Sequence, residues 1–491
     1  MRSMLLLTIG VLTLGFTASA QQKSTLDVAA DALGVAKIKT LSFTGSGQNF
    51  SVGQNYTTTD TWPPVPVKNY TASINYDTGS MRVELLREMG PVMPRGGGAP
   101  FFGEQRQIQV VSGNYAWNVA PPAGNAPAPP PAANPDSQLE RTLALWSTPQ
   151  GFVRAAMANK ATTKNTNGGT EVSFTIGGKY KMEGIINARG QVEKVTTWID
   201  HPIVGDMPVL TAYTGYKDFG GVMFPGHISQ SQDGFFALDI SISSVTANPD
   251  VNITVPENVR TFTPPAVRVD SKEMGKGVYY LTGGTHHSLA IEMKDYIVIE
   301  DLPNNVARAS AVLAKAKELI PNKPVRYVVT SHHHWDHLGG IRMAMNEGAT
   351  IVTHQSNKAF LQRVDKTPHT INPDPLSKSN KGVKIQTVGD KGVLNDGERT
   401  IELHLLKGYE HTGDMLVLYL PKEKLLAEPD AFTPPPQAGT PLVRTAIPYA
   451  KALYDNIQRL KLDVQVIAPL HGNRTSDVAE LAKAGSAGSS N

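Results

Sequence analysis

Residues 332 to 337 read His-His-His-Trp-Asp-His, and so many imidazoles beside one carboxylate suit the binding of divalent metal ions. In an extended segment alternate side chains share a side, so His332 and His334 face one ion while His333 points away. The chain then turns, and Asp336 and His337 are placed to serve a second ion close to the first. A catalytic zinc takes three protein ligands and keeps a fourth position open, so each pair needs a partner from elsewhere. His411, in Tyr409-Glu-His-Thr-Gly-Asp, is the candidate for the first ion, and His471 for the second. Asp430, after Lys424-Leu-Leu-Ala-Glu-Pro, sits where a carboxylate can bridge two ions about 3.5 to 4 Å apart.

These residues require particular elements. Pro324-Val-Arg-Tyr-Val-Val-Thr is almost continuously apolar, as in a strand buried on both faces, and it delivers the histidine cluster at its C-terminal end. Strands alternate with helical patterns beyond about residue 265, with strands expected around Ala349, Lys384, Thr400, Met415 and Val464 and a helix over Asn304 to Leu319. From Ile38 to about Pro264 the chain instead shows short period-two stretches separated by Gly and Asn turns, which read as antiparallel strands. Two helical patches, near 24 to 36 and 138 to 158, interrupt them.

HxHxDH, a later His-Thr-Gly, an Asp after a strand and a final Leu-His-Gly together resemble the metallo-β-lactamase superfamily over roughly residues 266 to 475. The resemblance implies an αβ/βα sandwich with two Zn2+ ions at one edge. His332, His334 and His411 would hold one, Asp336, His337 and His471 the other, with Asp430 bridging. It further implies that a water shared by the ions, with its pKa lowered to about 7, provides hydroxide for attack on a carbonyl or phosphoryl centre, with Asp336 orienting it. Glu300, closing Tyr296-Ile-Val-Ile, stands where the family often supports the site with a carboxylate, so a supporting role is expected of it. The chain departs from the family in having Tyr409-Glu410 before the third histidine and Pro429 before the bridging Asp430, which leaves Glu428 and Asp414 as alternatives for the bridge. The N-terminal series of strands is similar, in pattern alone, to the β half-barrels of periplasmic lipoprotein carriers.

Other residues are expected to be structural. His286 and His287 read as a hairpin tip, solvated in the favoured reading and overhanging the site in the other, His354, His369 and His404 lack partner spacing, and Trp335, Tyr409 and Tyr419 read as packing aromatics. The expected organisation is a signal peptide over 1–20, a β-rich, mostly antiparallel domain over 21–264 with a Pro/Ala-rich exposed loop at 119–135, a metallohydrolase domain over 265–478, and a disordered tail over 479–491.

Composition narrows the function. A net charge of +3 on 491 residues, without a basic stripe, argues against nucleic acid as a partner and leaves a small-molecule substrate. The absence of cysteine excludes disulfides, thiolate ligands and cysteine nucleophiles. Arg2, the apolar run Met4 to Phe16 and Ala18-Ser19-Ala20 predict export to the periplasm or medium, with cleavage after Ala20. The run is shorter than the roughly 20 residues that span a bilayer. The leading expectation is a zinc hydrolase of an ester, lactone or amide, β-lactams included. The alternatives are a phosphodiesterase with the same two ions and a ligand-binding or sensor protein with a structural metal.

Overall fold

The computed structural model describes residues 23–89, 94–98, 101, 103–122, 124, 126–379 and 381–486. The expected signal peptide and residues 487–491 of the expected tail lie outside these.

The N-terminal half is built on one sheet of 13 strands, and every neighbouring pair in it is antiparallel. Alternating apolar and polar residues in strands such as Thr40–Phe50 and Gly205–Thr214 bury every second side chain. The helices Gln138–Ser147 and Pro149–Ala158 pack on the inner face, with Leu143, Leu145, Phe152 and Val153 in the core. A cavity of about 340 Å³ remains between helix and sheet. In the Pro/Ala-rich segment, Ala132–Ala133 pairs with Trp117 and Asn118 at the sheet's edge. The expectation of a purely loop-like segment is corrected there, because two alanines, unlike prolines, keep the N–H groups that pairing needs.

The chain passes from this sheet to the next between Ala247 and Asp270, by way of the short helix Glu257–Arg260. The C-terminal half is a sandwich of a seven-stranded and a five-stranded sheet. Its inner layer, including Leu289, Val298, Val329, Leu403, Leu418 and Ala468, forms one apolar cluster drawn from both sheets. The helix Val306–Leu319 covers the outer face of the larger sheet, and Ile447–Leu460 packs with the outer residues of the smaller.

Three adjacent pairs in the larger sheet and one in the smaller are parallel, and one from each is central to the site. Ile297–Glu300 pairs in parallel with Val325–Val329, and Leu425–Glu428 with Val466–Pro469. Neighbouring parallel strands end on the same edge, so the residues that follow these four strands are brought together.

Residues 479–486, expected from composition to begin a disordered tail, belong instead to the helix Val478–Ser486, whose Leu481 is fully buried against the helix Ile447–Leu460. Its apolar positions, Val478, Leu481 and Ala484, fall at helical spacing and find that neighbour to cover them.

The halves share an interface. One apolar cluster runs from the N-terminal sheet into the helical face of the seven-stranded sheet. Trp335 stands edge-on to Trp62, with centroids 5.4 Å apart, and 4.2 Å from the ring of His201. Gly53 lies against the same indole with φ +73°, and a Cβ there would fall 2.6 Å from it, so the close approach requires glycine.

Candidate metal centre

After the strand Val325–Val329 the chain bends at Ser331 and His333, is extended at His334, then closes a helical turn over Trp335–Leu338. Backbone N–H groups of His337 and Leu338 donate to the carbonyl of His334 (3.1 and 3.0 Å), which turns Asp336 and His337 back toward the first two histidines. Gly339 and Gly340 follow because residues 302–304 cross directly above them: a Cβ on Gly339 would lie 1.8 Å from the Asn304 carbonyl oxygen.

Eight donors form two groups. His332, His334, His411 and Asp430 make the first, and His286, Asp336, His337 and His471 the second, with ligand atoms in each group within 4.8 Å of one another. Asp430 stands between them. Its Oδ2 lies 3.1 Å from Nε2 of both His332 and His411 and 3.3 Å from Nε2 of His337, while its Oδ1 is 2.9 Å from Nε2 of His471. Glu428 instead accepts from the backbone N–H groups of Ala431 and Phe432, and Asp414 is engaged by His333, Thr412 and Asn357, so neither alternative reaches the bridging position.

The spacing suits metal ligation. Nδ1 of His334 faces Nε2 of His411 at 3.1 Å, and Nε2 of His337 faces Nε2 of His471 at 3.1 Å. Two donors on a tetrahedral zinc with bonds of about 2.0–2.1 Å stand about 3.3 Å apart. Buried imidazoles converging at that distance, around a carboxylate with no lysine or arginine to neutralise it, fit a pair of divalent cations.

Charge is arranged accordingly. Burial pushes His334 well down, aided by His411 and His332, so it rests as a neutral donor. Burial alone would raise Asp430, but His337, His471 and His332 around it hold its carboxyl well below the usual range. Burial likewise opposes the charge on His337, yet Asp430, Asp301 and Asp336 keep it raised.

Supporting contacts fix the rings. Nδ1–H of His337 donates to Oδ2 of Asp301 (2.7 Å), which aims its Nε2 at the centre. Asp301 is itself held by the N–H and hydroxyl of Ser331 (2.8 and 2.6 Å). The supporting carboxylate is thus Asp301, and the role expected of Glu300 is corrected. Side chains alternate along a strand, so Glu300 points into the core, where neither of its carboxylate oxygens has a partner and burial raises it far above the usual range. One residue on, Asp301 turns at φ +55° and presents its carboxylate to the site.

His286 corrects a second expectation. It is no solvated tip: its side chain is 12% exposed, its Nε2 lies 3.1 Å from Oδ2 of Asp336, and its backbone bridges to His471. Only its doubling with His287 hinted at this in the sequence. His287 is buried as well, 4% exposed, and donates to the carbonyl of Gly472, so the solvated reading is corrected for both histidines; His333, His354, His369 and His404 stand outside both groups.

The centre opens on one side. Side chains of His332, His334 and His411 are at most 6% exposed, whereas Asp336 is 35% and His471 23% exposed. A loop of the N-terminal domain packs against the centre. Gln54 donates from Nε2 to Oδ1 of Asp336 (2.9 Å), Nε2–H of His334 donates to the Asn55 carbonyl (2.9 Å), and the Gly413 N–H donates to the Tyr56 carbonyl (2.9 Å).

Comparison with known proteins places this geometry. Residues 303–471 match the model of the metallo-beta-lactamase superfamily. Among curated proteins none matches. Solved structures similar to the chain include a metallo-beta-lactamase from Pontibacter korlensis, 20% identical over 46% of this chain and 100% of that one, with a TM-score of 0.36. Others are one from Hirschia baltica (19%, 44% and 96%, TM-score 0.33) and FIM-1 from Pseudomonas aeruginosa in its mono-zinc form (17%, 45% and 95%, TM-score 0.33). Seven of the eight donors fall within the segment that matches the family, His286 lies before it, and the C-terminal half of the chain has the metallo-β-lactamase fold.

Proposed function

We propose that this chain is an exported, zinc-dependent hydrolase of a small ester, lactone or amide, β-lactams included. The observation that carries the reading is Asp430 set between two groups of imidazole and carboxylate donors. Two divalent ions held there would lower the pKa of water and polarise the oxygen of the bond to be cleaved. The buried histidines of the first group exclude bulk solvent, and Asp336, at the open side, orients the attacking water while Gln54 and His286 hold its carboxylate in place. A substrate reaches the centre past Asp336 and His471, the more exposed donors.

Near-neutral net charge without a basic stripe favours a small substrate over a polynucleotide. Export rests on the apolar run after Arg2 and on Ala18-Ser19-Ala20.

Turnover of esters, lactones, amides, β-lactams and phosphodiesters, measured before and after chelation, tests the proposal. Carbonyl substrates should be cleaved, with activity lost to a chelator and restored by Zn2+. Turnover confined to phosphodiesters would replace the substrate class, and turnover indifferent to chelation would overturn the reading.

A further inference from the structure

The loop between the strands Thr40–Phe50 and Pro64–Asn75 belongs by sequence to the N-terminal domain, far outside the segment that matches the family. Two of its consecutive residues nevertheless each touch one donor, and the donors belong to different groups. The Asn55 carbonyl accepts from Nε2 of His334, and the Gln54 amide donates to Oδ1 of Asp336. We propose that Gln54 and Asn55 are positioning residues of the metal centre, so that the C-terminal sandwich alone is an incomplete hydrolase. This rests on the metal-hydrolase reading above.

An imidazole whose Nε2–H is donated must offer Nδ1 as its lone pair, and Nδ1 of His334 faces the first group. Asn55 therefore does for His334 what Asp301 does for His337, but from the other domain. Asp336 carries two oxygens. With Oδ2 beside His286 and Oδ1 held by Gln54, its carboxylate plane is fixed from both ends.

The loop is anchored for this task. Nδ2 of Asn55, a side chain buried with its residue 5% exposed, donates to the Asp60 carbonyl (3.2 Å) and closes the turn. The Tyr56 carbonyl accepts from Gly413, two residues after His411, and Gly53 is wedged against Trp335, between the donors His334 and Asp336. Arg95, from a neighbouring loop, pairs with Glu410 (2.8 Å) and lies over the Tyr56 ring. The loop thus grips the chain on both sides of the centre.

The test uses the full chain carrying Gln54→Leu, with Gln54→Met as a second apolar variant of similar length should the first fold poorly. Metal affinities are read by competition with a chromophoric chelator, and ligand geometry by the visible absorption of the Co2+-loaded protein. One ion should bind as in the wild type and the other about tenfold or more weakly, with an altered Co2+ spectrum and unchanged thermal unfolding. A role in stability alone would lower the unfolding temperature and leave site-selective affinity intact, and that result overturns the proposal. Wild-type protein that takes two ions, with both variants binding them identically, overturns the proposal alone. Wild-type protein that takes up no metal overturns the hydrolase reading along with it.

Discussion

In the C-terminal half, two parallel strand pairs finish at one edge, and the residues just beyond them, Asp301, His332, Asp430 and His471, meet there. In the N-terminal half every neighbouring pair is antiparallel, so successive strands end on opposite edges, and both donor groups found among the described residues lie in the other half. Parallel pairing concentrates chain ends, and with them loops whose side chains are free for chemistry. Antiparallel pairing builds a wall instead, and among the described residues this one touches the donors at Gln54 and Asn55, in the loop between two of its strands.

That contrast can be broken by substitution. Asp430→Ala removes the carboxylate shared by both groups and should lower kcat/KM about 1000-fold, more than the roughly 10–100-fold expected for losing a supporting partner, while circular dichroism stays native. Trp62→Ala acts from the wall: it empties a fully buried site against Trp335 and Phe235 and should cost about 3–5 kcal/mol in chemical denaturation. Asp301→Asn should weaken metal binding about 10–100-fold by chelator competition, whereas Glu300→Gln, one residue away and facing the core, should leave it unchanged.

A further effect is one of pH at the interface. Burial, with His369 nearby, pushes His201 down to about 3, and its Nδ1 accepts from the N–H groups of Ile203 and Val204. The unfolded chain takes up a proton below the ordinary value of 6.5 that the folded chain refuses until about 3. This contribution is therefore complete above 6.5 and is lost as pH falls through that window, by up to about 1.4 kcal/mol per unit. His201→Phe should flatten the stability profile there, as measured by denaturation at a series of pH values.

The same contrast governs what the sequence discloses. His332, His334, Asp336 and His337 are legible because their spacing is local: an extended segment followed by a turn fixes which side chains converge. Asp430 and His471 are legible as residues following apolar strands and His411 as one in a turn preceding such a strand, and the sandwich follows from strands alternating with helices. Asp301 was missed because one step along a strand reverses the side a residue faces, and the strand's end is not marked to that accuracy. His286 depends on a bridge to His471, and Gln54 on contact between domains, both of them long-range pairings that no local pattern encodes. The edge strand at Ala132–Ala133 and the helix 478–486 were hidden by compositions that favour loops until a neighbour supplies pairing or cover.

Metal content of the purified full-length protein tests the central claim most directly. Elemental analysis after exhaustive dialysis should find two divalent ions per chain, falling to one or none in Asp430→Ala. Less than one ion in the wild type, with substrate turnover undiminished by a chelator, would contradict the account.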